Sequence, residues 1–423
     1  EDGIRDFCLS RGLGDVYKRQ LKTSYLVYGA VFLVLLTLPL YSEASFIVTL
    51  MPDGLSGSAL LHVFVLIFMF GYLASSWNIL GGFAGQLSLG HAAFFGIGAY
   101  TSSLLYVHFG LSPWIGMFAG AGVATVVGYG LGFISFKYGL RGPFFALVTI
   151  AFAEILRLLA LYFDFTGGPL GLLIPLASEY TFWEYQFLEK EPYYYIAFGL
   201  MLIGILASAW VSSSKFGYCL RAIRESEEAA EALGIHAMFN KMHAVALSGA
   251  LTALAGTFYA QYTQYIVPDD VIKLALSIEI ILFAVIGGKG MVMGPVVGTF
   301  LLVPVGEMTR VVFEGGGTGT SLVALLNEKV PALDKLVNYV GYLASGGGGG
   351  LAILLYGIIL VVCCLVLPRG VLPAFIRPGA GMERAKCCLL YTSPSPRDRQ
   401  KSGMAAWGCK KNQGGGGGGG GGG

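Results

Sequence analysis

Apolar runs near twenty residues long recur along the chain, and that is the length an α-helix needs to cross the hydrocarbon core of a bilayer. They predict ten helical spans, at 25–41, 60–80, 90–109, 113–136, 143–163, 193–211, 243–262, 274–286, 295–312 and 351–367. The runs are continuous rather than alternating, so a membrane β-barrel does not fit. The eighth is short, which reads as a broken or re-entrant helix. The expected fold class is therefore an all-α polytopic membrane protein of about ten transmembrane helices.

Lysine and arginine gather in cytoplasmic loops. Alternating the ten spans places Lys22, Lys137, Arg141, Lys215, Arg221, Arg224, Lys241, Lys289, Arg369 and Arg377 on one side. The other side holds Lys190, Lys273, Arg310, Lys329 and Lys335, half as many. Much of the acid falls on that second side, as in Glu179, Glu184, Glu189, Glu191, Asp269 and Asp270. Both ends and the loop after the sixth span are thus predicted cytoplasmic.

That loop contains "ESEEAAEALGI" at 225–235. Ser226 is suited to cap a helix, with Glu227 and Glu228 in the first turn favoured by the helix dipole. Alanines and Leu233 carry the helix forward, and Gly234 can take a left-handed position at its end. About two turns long, it is too short to be stable alone in water, so something must pack against it. It reads either as an amphipathic loop helix on the headgroups or as a docking element.

Composition adds the class. The 423 residues are 55% hydrophobic and 12% charged, too apolar for a soluble chain of this length. The formal net charge of +2 gives no case for nucleic-acid binding. Cys219, Cys363 and Cys364 fall in or beside membrane segments and the other four lie near the ends, so no disulfide framework or metal site emerges and no cofactor is expected. The ends read as foreign. "SRGLGDVYKRQ" at 10–20 and "CLLYTSPSPRD" at 388–398 can be translated from opposite strands of nearly the same DNA, which suggests sequencing adapter. The expected organisation is an adapter-derived segment at 1–20, a transmembrane domain at 21–378 and a non-native tail at 387–423 that ends in polyglycine. The glycine run at 346–350 is either artefactual or a flexible loop.

Several stretches resemble one family. "NILGGFAGQLSLGHAAFFGIGAYTSSLL" at 78–105, "TGGPLGL" at 166–172, "FGYCLRAIRESEEAAEALGI" at 216–235, "VIGGKGMVMGPVVGT" at 285–299 and "LVLPRGVL" at 365–372 occur in the family's order. The chain is similar to permeases of branched-chain amino acid ABC importers, of the M-type (LivM-like) subunit. Within them, Glu228-Ala229-Ala230 with Gly234 resembles the EAA loop, which in that family is the coupling helix seated on the ATP-hydrolysing subunit. The family's downstream proline has no match, and the 314–350 stretch is longer and richer in glycine than its pattern. The resemblance implies a second related permease subunit, two ABC ATPase subunits and an extracytoplasmic amino-acid-binding protein as partners, in the bacterial inner membrane. It also implies that this chain is a transporter subunit rather than an enzyme. In keeping with that, no G-x-x-x-x-G-K-[ST] occurs; "GGKG" at 287–290 lacks the earlier glycine and the hydroxyl residue.

The residues expected to couple to an ATPase are Arg221, Arg224, Glu227, Glu228, Ala229, Ala230 and Gly234. Polar groups inside spans usually face a cavity or a partner. Glu154 and Arg157 share a helix face and could pair, either lining or gating the translocation path or neutralising each other between helices. Glu279 has no local partner, which points to a contact between helices or subunits. Gln86 and Ser88, in a glycine-rich bend, could hydrogen-bond a zwitterion, and His91 could contact substrate or cap a helix. Two rival readings keep most of these features. The same fold could import urea, short amides or other amino acids. A secondary transporter driven by ions would need Glu154 or Glu279 as its coupling carboxylate.

Overall fold

A computed structural model describes residues 33–39, 57–176 and 182–314, with single positions at Gly357 and Val371; along the last helix, side chains are described as far as Glu307. Residues 1–373 form one compact unit, to which everything below belongs; the second unit, 374–423, lies outside the described residues. Of the first expected span only 33–39 is described, as helix, and of the tenth only Gly357. The expected bounds of the foreign ends also fall outside the described residues.

Helix α1 runs Gly57–Asn78 and widens into a π turn at Ile79–Phe83. After a non-helical stretch come α2 (His91–Phe109), α3 (Pro113–Lys137) and α4 (Pro143–Tyr162). Pro113 and Pro143 stand in the first turn of α3 and α4, where a missing N–H costs nothing and the fixed φ suits the helix. Helix α5 (Lys190–Ser213) leads into α6 (Lys215–Glu225) and α7 (Glu227–Ala232). Next are α8 (Ala237–Thr263), α9 (Pro268–Val271), α10 (Leu274–Gly288) and α11 (Gly294–Glu314).

Among the described residues, six segments are long and apolar enough to cross a membrane: Gly57–Phe83, Pro113–Lys137, Pro143–Tyr162, Lys190–Ser213, Ala237–Thr263 and Pro268–Gly288. Helix α2 falls outside that set, although its residues match the expected third span. His91, Thr101, Ser102 and Ser103 make it less apolar, and most of its side chains are buried among neighbouring helices rather than turned to lipid. Helix α8 is the centre of the bundle. It packs on α2, α3 and α1, while α1 also meets α5, α10 and α11. Phe68, Tyr72, Phe258 and Phe283 fill the largest buried cluster. Phe118, Val126, Phe144, Leu147 and Ile155 on α3 and α4 point outward, an apolar surface that suits a bilayer.

Two further details position the loops. The "TGGPLGL" stretch folds as tight 3-10 turns that lead into strand β1 (Leu172–Leu173), paired antiparallel with β2 (Tyr265–Ile266) in the register Leu172↔Ile266 and Leu173↔Tyr265. This ties the link after α4 to the end of α8. The break expected after the eighth span lies between α10 and α11, which pack against each other as a hairpin.

Candidate coupling site

The short helix forms as its sequence dictates. The Ser226 side chain caps α7, accepting from the Ala229 amide at 3.3 Å. Gly234 follows at φ +84°, a left-handed conformation that a glycine adopts without strain. Just before it, Ser214 caps α6 in the same manner, accepting from the Gly217 amide at 3.2 Å. The two helices therefore form a jointed arm, α6 then α7, hinged at Ser226.

One side of the arm faces the bundle and the other faces solvent. Ala230 is buried in a small cluster with Ile223 and Ala237. Glu228, Ala229, Glu231 and Leu233 are exposed, Leu233 to 82%. Glu227 turns inward. One of its oxygens meets the Lys241 ammonium of α8 at 2.6 Å, and the other meets Arg141 Nε, from the link between α3 and α4, at 3.2 Å. The Lys241 side chain is only 2% exposed and lies 5.3 Å from the Phe136 ring centroid. The "EAA" motif is thereby divided. Glu228 and Ala229 present a face outward, while Glu227 and Ala230 hold the helix down.

The arginines of the arm are also turned onto the chain itself. Arg224 donates from Nη1 to the Gly82 carbonyl at 2.8 Å, inside the π turn that ends α1, and pairs with Glu225 at 3.0 Å. Asn78 joins that turn to the α10–α11 break. Its Oδ1 accepts from the Gly290 amide at 2.7 Å and its Nδ2 donates to the Met291 carbonyl at 2.9 Å. A Cβ on Gly82 would stand 1.9 Å from Asn78 Oδ1, so only glycine permits this approach. Arg221 donates to the carbonyls of Gly217 and Ser212, with its guanidinium 4.7 Å from the Tyr218 ring centroid. Both guanidinium groups thus serve the chain's own carbonyls. The glycine-rich stretches at 81–90 and 287–294 meet at one junction, with Arg224 fastening the arm to it.

Of the residues expected along a pathway, Gln86, Ser88 and His91 follow that junction directly. Gln86 and Ser88 are buried; the Gln86 Oε1 has no hydrogen-bond partner, and the Ser88 carbonyl accepts from Trp77 Nε1 at 2.9 Å. His91 is fully buried, with Nε2 2.7 Å from the Ser248 hydroxyl, which itself donates to the Ser76 carbonyl at 2.7 Å. Ser248 must therefore accept from His91 Nε2–H, and the three residues link α2, α8 and α1. Glu154 and Arg157 do pair, at 3.0 Å from Arg157 Nε to Glu154 Oε2, and Arg157 also pairs with Asp269 at the start of α9. That triad ties α4 to α9. Glu279 is half-buried on α10. Sequence reasoning took Lys241 and Arg141 only as orientation charges, and it missed Asn78 and Asp269 as partners. Nothing local marks them, because each pairs with a residue distant in the chain.

A bundle of long apolar helices with a small charged arm projecting at one end is a multi-pass membrane protein. The chain belongs to the family described as branched-chain amino acid transport system / permease component, which matches residues 59–340. It is 30% identical over 255 residues to the high-affinity branched-chain amino acid transport system permease protein LivM of Escherichia coli strain K12, covering 55% of this chain and 59% of that protein. The corresponding protein of Salmonella typhimurium is 29% identical over the same span, again 55% of this chain and 59% of the relative. A probable LivM of Methanocaldococcus jannaschii is 26% identical over 189 residues, 43% of this chain and 52% of that protein. The chain thus spans somewhat over half the length of these relatives, which are transport permeases. No solved structure matches.

Proposed function

We propose that this chain is the transmembrane permease subunit of an ABC importer that moves branched-chain, hydrophobic amino acids across the bacterial inner membrane. About ten transmembrane helices would carry alternating access between the two sides. The partners in this reading are a second related permease subunit, two ABC ATPase subunits and an extracytoplasmic binding protein that delivers the amino acid. Family membership supports the transported class. The observation that carries the coupling role is the two-sidedness of α7: Glu228 and Leu233 face outward while Glu227 and Ala230 are fastened to the bundle. A helix of six residues would have no reason to be held so firmly and still display a charged face, unless that face meets a partner. ATP-driven closure of the ATPases would push α7, and the push would reach the spans.

The test is charge reversal at Glu228. Glu228→Lys in membranes with the partner subunits is expected to abolish amino acid uptake while the chain still inserts at normal levels. Full uptake by that variant in vesicles would rule the coupling role out. Co-purification of ATPase subunits, lost on deleting 225–234, checks the partner directly.

A further inference from the structure

We infer that Lys241 is a positioning residue for transport: acting through Glu227, it makes the short helix α7 and the long helix α8 move as one body. The inference rests on the permease reading above and adds to it the route by which a push on α7 enters the bundle.

The backbone alone transmits that push poorly. Between α7 and α8 lie four residues, Leu233–His236, that include the left-handed Gly234. A turn of this kind bends when its ends are loaded. On the other side, α7 joins α6 at Ser226, in extended conformation at φ −159°. With hinges at both ends, a six-residue helix would rock in place. The Glu227 carboxylate prevents this by holding both of its oxygens, one on Lys241 of α8 and one on Arg141 of the α3–α4 link. Three elements are triangulated on one side chain, within the first turn of α7, where the helix dipole also favours the anion.

Burial distinguishes this pair from an ordinary surface salt bridge. A lysine serving only as an orientation charge would stand in water, yet the Lys241 side chain is 2% exposed and packed by Phe136. Buried ion pairs add little net stability compared with apolar packing, and their best-attested use is to fix one geometry among several. Helix α8 is the element that a link to α7 should reach, because it lies against α2, α3 and α1 together. Movement of its first turns is therefore felt by the centre of the bundle.

The test uses the whole complex in vesicles with binding protein, amino acid and ATP, reading amino acid imported per ATP hydrolysed. ATP-dependent uptake by the unaltered complex is established first; its absence would defeat the permease reading and leave the geometry untouched. Lys241→Met is then expected to lower import per ATP at least about fivefold, whereas Lys241→Arg, which keeps the charge, stays near the unaltered ratio. Adding Glu227→Gln to Lys241→Met is expected to cost clearly less than the sum of the two single losses, because Lys241 acts through Glu227 and only the Arg141 tie goes in addition. This double variant buries no unpaired charge, so it carries the test if Lys241→Met alone does not assemble. An unaltered import ratio in the assembled Met variant or in the double variant would overturn the inference, as would losses that simply add.

Discussion

The seam between α2 and α8 and the arm formed by α6 and α7 are held by opposite means. Along the seam the helices lie so close that a Cβ on Gly98 would sit 1.9 Å from the Ala253 carbonyl oxygen, and one on Gly256 would sit 1.9 Å from that of Phe95. Thr257 Oγ1 donates to the Gly98 carbonyl at 3.1 Å, and His91, Ser248 and Ser76 continue the chain of hydrogen bonds. No charge is involved. The arm, beyond the apolar contacts of Leu220, Ile223 and Ala230, is tied by charge through Glu227, Lys241, Arg141 and Arg224. Lipid explains the difference. Between helices in a bilayer there is no hydrophobic drive, so small residues and hydrogen bonds do the joining. Near water a charged side chain can be kept charged and used as a tie.

If that contrast is right, bulk should break the seam and charge should break the arm. The largest effect is expected from Gly256→Leu, which drives a side chain into the backbone of α2. A loss of about 3 kcal/mol or more should show as little monodisperse protein on size-exclusion chromatography in detergent. An ordinary yield of folded protein would mean the seam can open. Next comes Glu227→Gln, which leaves the buried Lys241 unpaired and should cost about 3 kcal/mol in a denaturant titration. Glu228→Gln, on the exposed side of the same turn, should stay within about 0.5 kcal/mol. Equal costs for the two glutamates would erase the distinction between the inner and outer faces of α7. The most local effect is expected from Ser226→Ala. Removing the cap should cost about 1 kcal/mol locally, read as faster hydrogen exchange at the Ala229 amide with no change in overall unfolding.

Local signals carried much of the fold. Pro113 and Pro143 marked the starts of α3 and α4, and the expected ends fall within one residue of those observed. Ser226 and Gly234 bracketed α7 because caps act over three or four residues. The apolar pattern places the start of the seventh span at 243, six residues late. Asn240 and Lys241 interrupt the apolar run there, yet the helix continues through them from Ala237, since Glu227 neutralises the lysine. The short charged helix itself was legible; its fastenings were not. Glu227 meets Arg141 and Arg224 meets Gly82 across long stretches of chain, and periodicity says nothing about such pairs. The π turn at Ile79–Phe83 was visible only as a cluster of glycines.

Lys241 also belongs to two moments in the life of the chain. While the spans are being threaded into the bilayer, Glu227 has not yet found it, and an unaccompanied ammonium ahead of an apolar segment biases which side of the membrane that end takes. Once the helices gather, the same ammonium disappears into the protein and becomes a fastener. A substitution there would therefore be felt twice, first in how the polypeptide is threaded and later in how its finished parts hold together.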